Sequence, residues 1–564
     1  MKTALWALMI VSPFIMSGCG VDTGSGEEDD GGTTPGTVWY VDPTQTVSGE
    51  GTAWNQAFVT LQEALAAADS GDEIWTVAGM YTPTDTSDRT VSFEMVEGVG
   101  VYGGFSGDEK LRGDRLPSVN VTVLSGDLNG DDSSGGDNSE NSYHVVTGAD
   151  GAVLDGFIIE GGNADGPIVS DSDPAVQLAQ RAGGGLVCGL DGSMSVTVSH
   201  CTFRSNEAHV GGAAALFRCS GAVRNCTFSS NSTAQKGETA PGAAGGALFW
   251  YSDTPENIEI DQCTFSDNVC DTAGTGIGRG GAACLTGPLS ALISASAFSE
   301  NSARGAGNRG GALFADEGAD IEVSRTEFSS NSSEDDGGAA VLDTAQCDFL
   351  LCTFSSNTAS GEGGALFCRA SDVLSVRSGF VSNTAAGTGA PVRGGAVHME
   401  NASSLRAWNC VFNNNLADGS LSPNESYGGA VHVWEGCTVE CFFTTCSLNT
   451  ADHGGALRLG SDSAGSSLTL NSCIVWGNTG NISDSEISGD PGGTVSAAYS
   501  DIQGGGFSGT GNINADPNFA GGGDLHIQGG PCVNTGDPLI NPGVDIEGTS
   551  RDSQPDMGAY EYIN

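Results

Sequence analysis

Two columns of side chains, set by a repeat, carry the chemistry this sequence could do. Nine Gly-Gly-Ala triplets begin at Gly211, Gly245, Gly280, Gly310, Gly337, Gly363, Gly394, Gly428 and Gly454. The residue just before each reads Val210, Ala244, Arg279, Arg309, Asp336, Glu362, Arg393, Tyr427 and His453. Arg279, Arg309 and Arg393 stand out in a chain of net charge −50 with 20 Lys plus Arg. A guanidinium pairs bidentately with a carboxylate, which is the chemistry of an acidic-glycan contact. The column admits a second reading, because Arg309–Asp336 and Glu362–Arg393 fall on consecutive repeats and would form a solvated ion-pair ladder worth about 0–1 kcal/mol per pair. The other column, four residues after each first glycine, reads Ala215, Phe249, Cys284, Phe314, Val341, Phe367, His398, His432 and Arg458. If these point outward, Phe249, Phe314 and Phe367 could stack on sugar rings, and His398 with His432 could share a metal ion. Packing beneath loops is the competing account.

A third candidate lies apart from the repeat. Asp127-Leu128-Asn129-Gly130-Asp131-Asp132 resembles the front half of an EF-hand loop, with Asp127, Asn129 and Asp131 as candidate calcium ligands. It lacks Gly at the sixth place and Glu at the twelfth, which is Asn138. No other cofactor is expected.

These columns need a scaffold that returns to the same place once per repeat. A second motif supplies its other corner: Phe203/Asn206, Phe228/Asn231, Phe265/Asn268, Phe298/Asn301, Phe328/Asn331, Phe354/Asn357, Phe380/Asn383 and Phe412/Asn415, with degenerate copies at Cys446/Asn449 and Val475/Asn478. The asparagines recur every 25 to 37 residues. From each triplet to the next aromatic position the gap is 17 to 21 residues, whereas from each asparagine to the next triplet it runs from 5 to 14. One part of every repeat is therefore constant and one loop varies. Short alternating apolar runs, such as Leu248 and Trp250 or Val397 and Met399, argue for stacked β-coils rather than helices. The predicted architecture is all-β: a single-stranded right-handed parallel β-helix of about 12 to 14 coils, roughly 60 Å long at about 4.8 Å per coil. Variable loops stack along one edge of such a coil, where binding usually resides.

The Gly-Gly-Ala and Phe-x-x-Asn pair resembles the repeats of chlamydial polymorphic outer-membrane proteins over roughly residues 183–480. Those proteins end in a membrane β-barrel. Here fewer than about 90 residues follow Asn478, so no barrel is expected. The flanks resemble a wider group of bacterial right-handed β-helix lipoproteins. Trp39-Tyr40-Val41-Asp42-Pro43 and the helix-like Ala57–Ala68 match its start, where an amphipathic helix caps the first coil. Asp556-Met557-Gly558-Ala559-Tyr560-Glu561 resembles the closing signature of choice-of-anchor Q proteins. Residues 1–18 read as a secretion signal, and Met16-Ser17-Gly18-Cys19 resembles a lipobox, which implies acylation of Cys19. The divisions expected are signal 1–18, acidic tether 19–36, N-terminal cap and first coils 37–100, β-helix 101–505 and C-terminal cap 506–564.

Charge and redox set the compartment and partners. A balance of 20 basic against 70 acidic residues excludes nucleic acid and anionic membrane surfaces as electrostatic partners. Apart from Cys19, sixteen cysteines remain; the column Cys201, Cys226, Cys263, Cys352, Cys410 and Cys473 shares inward positions with Ser and Thr, which predicts mostly buried free thiols. The motifs NTD, GHG and RIK of polygalacturonase-type hydrolases are missing. The expectation is an exported monomeric lipoprotein, held at the outer membrane or cell surface by its lipid and facing outward. It would bind a polysaccharide or surface ligand through the stacked loops without catalysis. The alternative is a polysaccharide lyase or glycoside hydrolase working in a groove on the β-helix.

Overall fold

The computed structural model describes residues 36–563, except 168–172, 235–241, 273–276, 389–390, 421–424, 461–464 and 484–485. The signal, Cys19 and nearly all of the tether lie outside the described residues. The body from Gly36 onward is a right-handed parallel β-helix whose coils each cross four faces. In one coil, Leu248–Tyr251 follows the glycines and lies in a 13-stranded sheet, here the glycine sheet. Glu256–Asp261 lies in a 15-stranded broad sheet, Thr264–Ser266 in a 14-stranded phenylalanine sheet, and Val269–Asp271 in a 13-stranded corner sheet. Fifteen strands at about 4.8 Å give a body about 70 Å long.

Register follows from identical residues meeting on successive coils. Phe228 pairs with Phe265 and Phe265 with Phe298 in parallel register. The rings from Phe203 to Phe412 stack with centroids 4.6–5.0 Å apart. A one-residue slip would turn every ring to solvent, so this stack pins the alignment of the coils.

The asparagines close the corner beyond. Asn331 donates from Nδ2 to the Phe298 carbonyl at 2.9 Å and to Asn357 Oδ1 at 3.0 Å, and its backbone N–H reaches the same Oδ1 at 3.0 Å. The residue before it, Ser330, is left-handed at φ 56°. The amide ladder satisfies buried backbone at a corner where the main chain cannot pair with itself.

At the opposite corner Gly337 is left-handed at φ +66°, and a Cβ on Gly338 would sit 2.2 Å from the Gly364 carbonyl oxygen of the next coil. The glycines are thus imposed by positive φ and by close coil-to-coil approach.

Helix α1 (Leu61–Ala67) starts in a Thr60–Glu63 capping box and buries Leu61, Ala64 and Leu65 against the first coils. The segment 506–564 divides its work. Phe507 packs on the end of the core, and Asn512 extends the coil by accepting from the Ser500 N–H at 3.1 Å. The remainder runs back along the outside of the phenylalanine sheet: Ile527, Cys532 and Met557 cover Ile474, and Leu525 and Ala559 cover Val411. Arg551 clamps this flank by donating to Asn409 Oδ1 at 2.9 Å and to Glu561 at 3.0 Å. All sixteen described cysteines are buried and free.

Candidate functional site

The outer face of the glycine sheet is not a surface. Phe249, Phe314 and Phe367 point away from the central core, as strand alternation requires, yet they are 7, 4 and 2% exposed. They form a second apolar cluster with Val210, Ala244, Cys284 and Val341. Sugar stacking on these rings is therefore overturned: guanidinium groups lie over two of them, Arg279 5.3 Å from the Phe314 ring and Arg309 and Arg369 5.7 and 5.4 Å from Phe367, and Phe217 packs edge-on to Phe249 at 5.7 Å.

Those arginines are also spoken for. Arg279 meets Asp316 at 3.2 Å, and Arg309 meets Asp335 at 2.9 Å and Asp336 at 3.2 Å. Arg393 pairs with Glu362. The ion-pair ladder is the arrangement present, and an acidic-glycan contact by this column is corrected: its guanidiniums already hold carboxylates.

His398 and His432 sit side by side on adjacent coils, both buried, but they face each other through Nδ1, 3.0 Å apart. One ring donates and the other accepts, so the expected metal shared by these two rings is not what the geometry offers. His398 Nε2 points the other way, 3.0 Å from Glu362 and 3.8 Å from Glu400. Arg369 Nε donates to Glu400 at 2.7 Å. Burial alone would lower His398, but the two carboxylates outweigh it and push it up to about 9. His432 is held well below its ordinary value by burial and by its charged neighbour.

The acidic loop is re-sorted. Asp127 accepts from the Gly130 N–H at 2.7 Å, while Asn129 donates from Nδ2 to Asp131 at 3.1 Å and accepts at Oδ1 from the Asp131 N–H at 3.0 Å, so its oxygen is engaged within the turn. The carboxylates that converge are Asp127, Asp131, Asp132 and Glu140, within 4.8 Å of one another. Burial and the neighbouring acids raise Asp132 and Glu140.

An open groove lies elsewhere, on the outer face of the broad sheet. It encloses about 730 Å³ and crosses six coils, lined by Thr197, Asn257, Glu259, Ser290, Leu292, Glu322, Gln346 and Asp348 among others. These are the outward members of strands whose inward members, such as Ile258, Ile260, Ile321 and Val323, fill the core. Leu292 is 39% exposed on its floor. The lining guanidinium, Arg224, is held bidentately by Glu259 at 2.8 and 2.5 Å. Glu322 and Asp348 pair in register on adjacent coils, and burial followed by Asp320 and Glu322 raises Asp348. Motif spacing could not flag this face, because its strands carry no repeated triplet. The signal present was the alternation of outward positions, polar except for Leu292, at Asn257/Glu259, Ser290/Leu292, Asp320/Glu322 and Gln346/Asp348.

A family model described as a right-handed beta helix region matches residues 189–448. Among solved structures the chain is similar to pectate lyase Pel9A, at 11% identity with 93% of this chain and 96% of that chain covered and a TM-score of 0.28. No curated protein matches the chain.

Proposed function

We propose that this right-handed β-helix repeat protein is a lipid-anchored surface protein that binds an extended, uncharged polysaccharide along the broad-sheet groove, without catalysis. The observation that carries the reading is the groove itself: about 730 Å³, open, continuous over six coils and hence about 25 Å long. Asn257, Ser290 and Gln346 offer side-chain donors and acceptors, Leu292 offers an apolar floor, and Asp320, Glu322 and Asp348 repel polyanions. The ligand is thus a neutral glycan, in place of the acidic one, the sharper of the two readings of the arginine column. The variable loops remain a second contact edge in this proposal, although segments of four of them lie outside the described residues.

Anchoring rests on Cys19, also outside the described residues. Among those residues, no helix is long and apolar enough to cross a membrane. Labelled fatty acid should enter the native chain and be lost in Cys19→Ala.

One observation favours the catalytic alternative. Glu322 and Asp348 lie on adjacent strands of the same groove, about 5 Å apart, and two carboxyls so placed, with Asp348 raised, are the makings of acid–base glycoside hydrolysis. Incubating the full chain with neutral and acidic polysaccharides separates the two. Saturable binding without new chain ends, weakened by Asn257→Ala and Gln346→Ala, supports the binding reading. New reducing or unsaturated ends that vanish in Glu322→Gln replace it with catalysis, and no binding to any neutral polymer overturns it.

A further inference from the structure

We propose that Glu362, His398 and Glu400 form a binding site for a divalent transition-metal ion of the Zn²⁺ type. The inference is independent of the polysaccharide reading. His398 and Glu400 sit two residues apart on the strand Val397–Glu400, so both project to its outer side. Glu362 comes from the preceding coil, directly before its glycine pair. The three side chains can each turn one ligand atom to a common point, with all three atoms within 4.8 Å of one another.

The distances suit an ion held between them. His398 Nε2 is 3.0 Å from one oxygen of Glu362 and 3.8 Å from one of Glu400. Ligands at about 2.0–2.1 Å from a tetrahedral zinc stand about 3.4 Å apart, and the observed pair brackets that value. The His398 ring is fully buried, and its Nε2 makes no hydrogen bond of acceptable alignment despite the nearby carboxylates. A buried polar atom without a partner is rare and calls for a ligand.

The surroundings orient the set. Arg393 holds the far oxygen of Glu362, and Arg369 holds the far oxygen of Glu400 at 2.7 Å, leaving the near oxygens turned to the imidazole. His432 Nδ1, 3.0 Å from His398 Nδ1, can accept its N–H and so place the free lone pair on Nε2. Outer partners of this kind set the tautomer and angle of metal-bound histidines.

Charge points the same way. Asp335, Asp336, Asp343, Glu362 and Glu400 face Arg309, Arg369 and Arg393, five carboxylates against three guanidiniums. With the His398 ring neutral, as a metal ligand must be, two negative charges remain, which one divalent ion balances in exchange for the ring's proton. An imidazole with two carboxylates suits zinc or its first-row neighbours, whereas calcium prefers six to eight oxygens. The ion would tie two successive coils together at the point where the ladder changes sign.

The test uses the full chain stripped by a chelator. Calorimetric titration with Zn²⁺ should show one saturating equivalent, weakened at least tenfold in Glu400→Gln and Glu362→Gln and more in His398→Gln, with Asp131→Asn unchanged. Zn²⁺ should also raise the melting temperature of the native chain and not that of Glu400→Gln. Co²⁺ titration of the unaltered chain needs no variant and should give the visible bands of a four-coordinate site. No saturable Zn²⁺ binding, binding that survives all three substitutions, or a six-coordinate Co²⁺ spectrum would each overturn the proposal.

Discussion

The ladder asparagines show how much one side chain can matter at a corner. Asn331 Oδ1 accepts from the Asn301 N–H at 3.1 Å and from the Asn301 Nδ2 at 3.0 Å, while its own amide serves Phe298 and Asn357. Asn331→Ala removes all four contacts and strands a buried N–H, so stability should fall by about 2–4 kcal/mol. A shift in denaturation midpoint worth less than about 1 kcal/mol would show that water takes over the corner.

The last rung behaves differently. Asn478 Nδ2 donates to Glu486 at 2.5 Å, and burial holds the Glu486 carboxyl up at about 7 from an ordinary 4.5. The native state therefore binds this proton more tightly than the unfolded chain. Its contribution to stability is full below about pH 4.5 and is lost as pH rises through about 7. Glu486→Gln keeps the neutral amide form and should raise stability at pH 8 by on the order of 2 kcal/mol while changing little at pH 4.5. Equal effects at both pH values would count against a buried, protonated Glu486.

At the scale of the element, successive coils are bridged by side-chain amides at one corner and meet backbone to backbone at the other. A Cβ on Gly338 would also meet the backbone of Thr358 at 2.6 Å, and neither this backbone nor the Gly364 carbonyl can swing aside as a side chain could. Gly338→Ala should therefore break the pairing of adjacent glycine-sheet strands and cost several kcal/mol. Gly113, with open space where its Cβ would go and no positive φ, is the control, and Gly113→Ala should be neutral. Unfolding curves of the two variants decide the point. The strand pattern also explains why two sheets with the same alternation differ in use. The outward positions of the glycine sheet lie beneath paired arginines, whereas the outward positions of the broad sheet line a groove.

For the molecule as a whole, the body is stabilised by stacked identical side chains, with no disulfide among the described cysteines. All sixteen described thiols are buried, and burial raises many of them, Cys352 and Cys437 to about 11. A thiol reagent should therefore label almost none of these in the native protein at neutral pH and all sixteen of them after denaturation, under non-reducing conditions. Fewer than sixteen after denaturation would reveal disulfides. The charge of −50 has its local exceptions in guanidiniums that lie within the ladder and bind its own carboxylates.

Sequence by itself determined the coil: the Gly-Gly-Ala and Phe-x-x-Asn periods encode a β-helix because each repeat must present like residues to its neighbours every 4.8 Å or so. It also placed the ion pairs Arg309–Asp336 and Glu362–Arg393, since column membership follows from the period. Solvent exposure was beyond it. Alternation tells which side of a strand Phe314 and His398 leave from, and both do leave outward. Whether that side meets water depends on what the rest of the chain lays over it. Arg279 over Phe314 and Glu362 beside His398 come from other coils, and Glu400 from another position of the same strand. The same holds for the broad-sheet groove, where six separate strands contribute one or more residues each. Local periodicity is a property of neighbours along the chain, and a covered face or a groove is a property of neighbours in space, so only the tertiary structure decided which outward columns are buried and which are open.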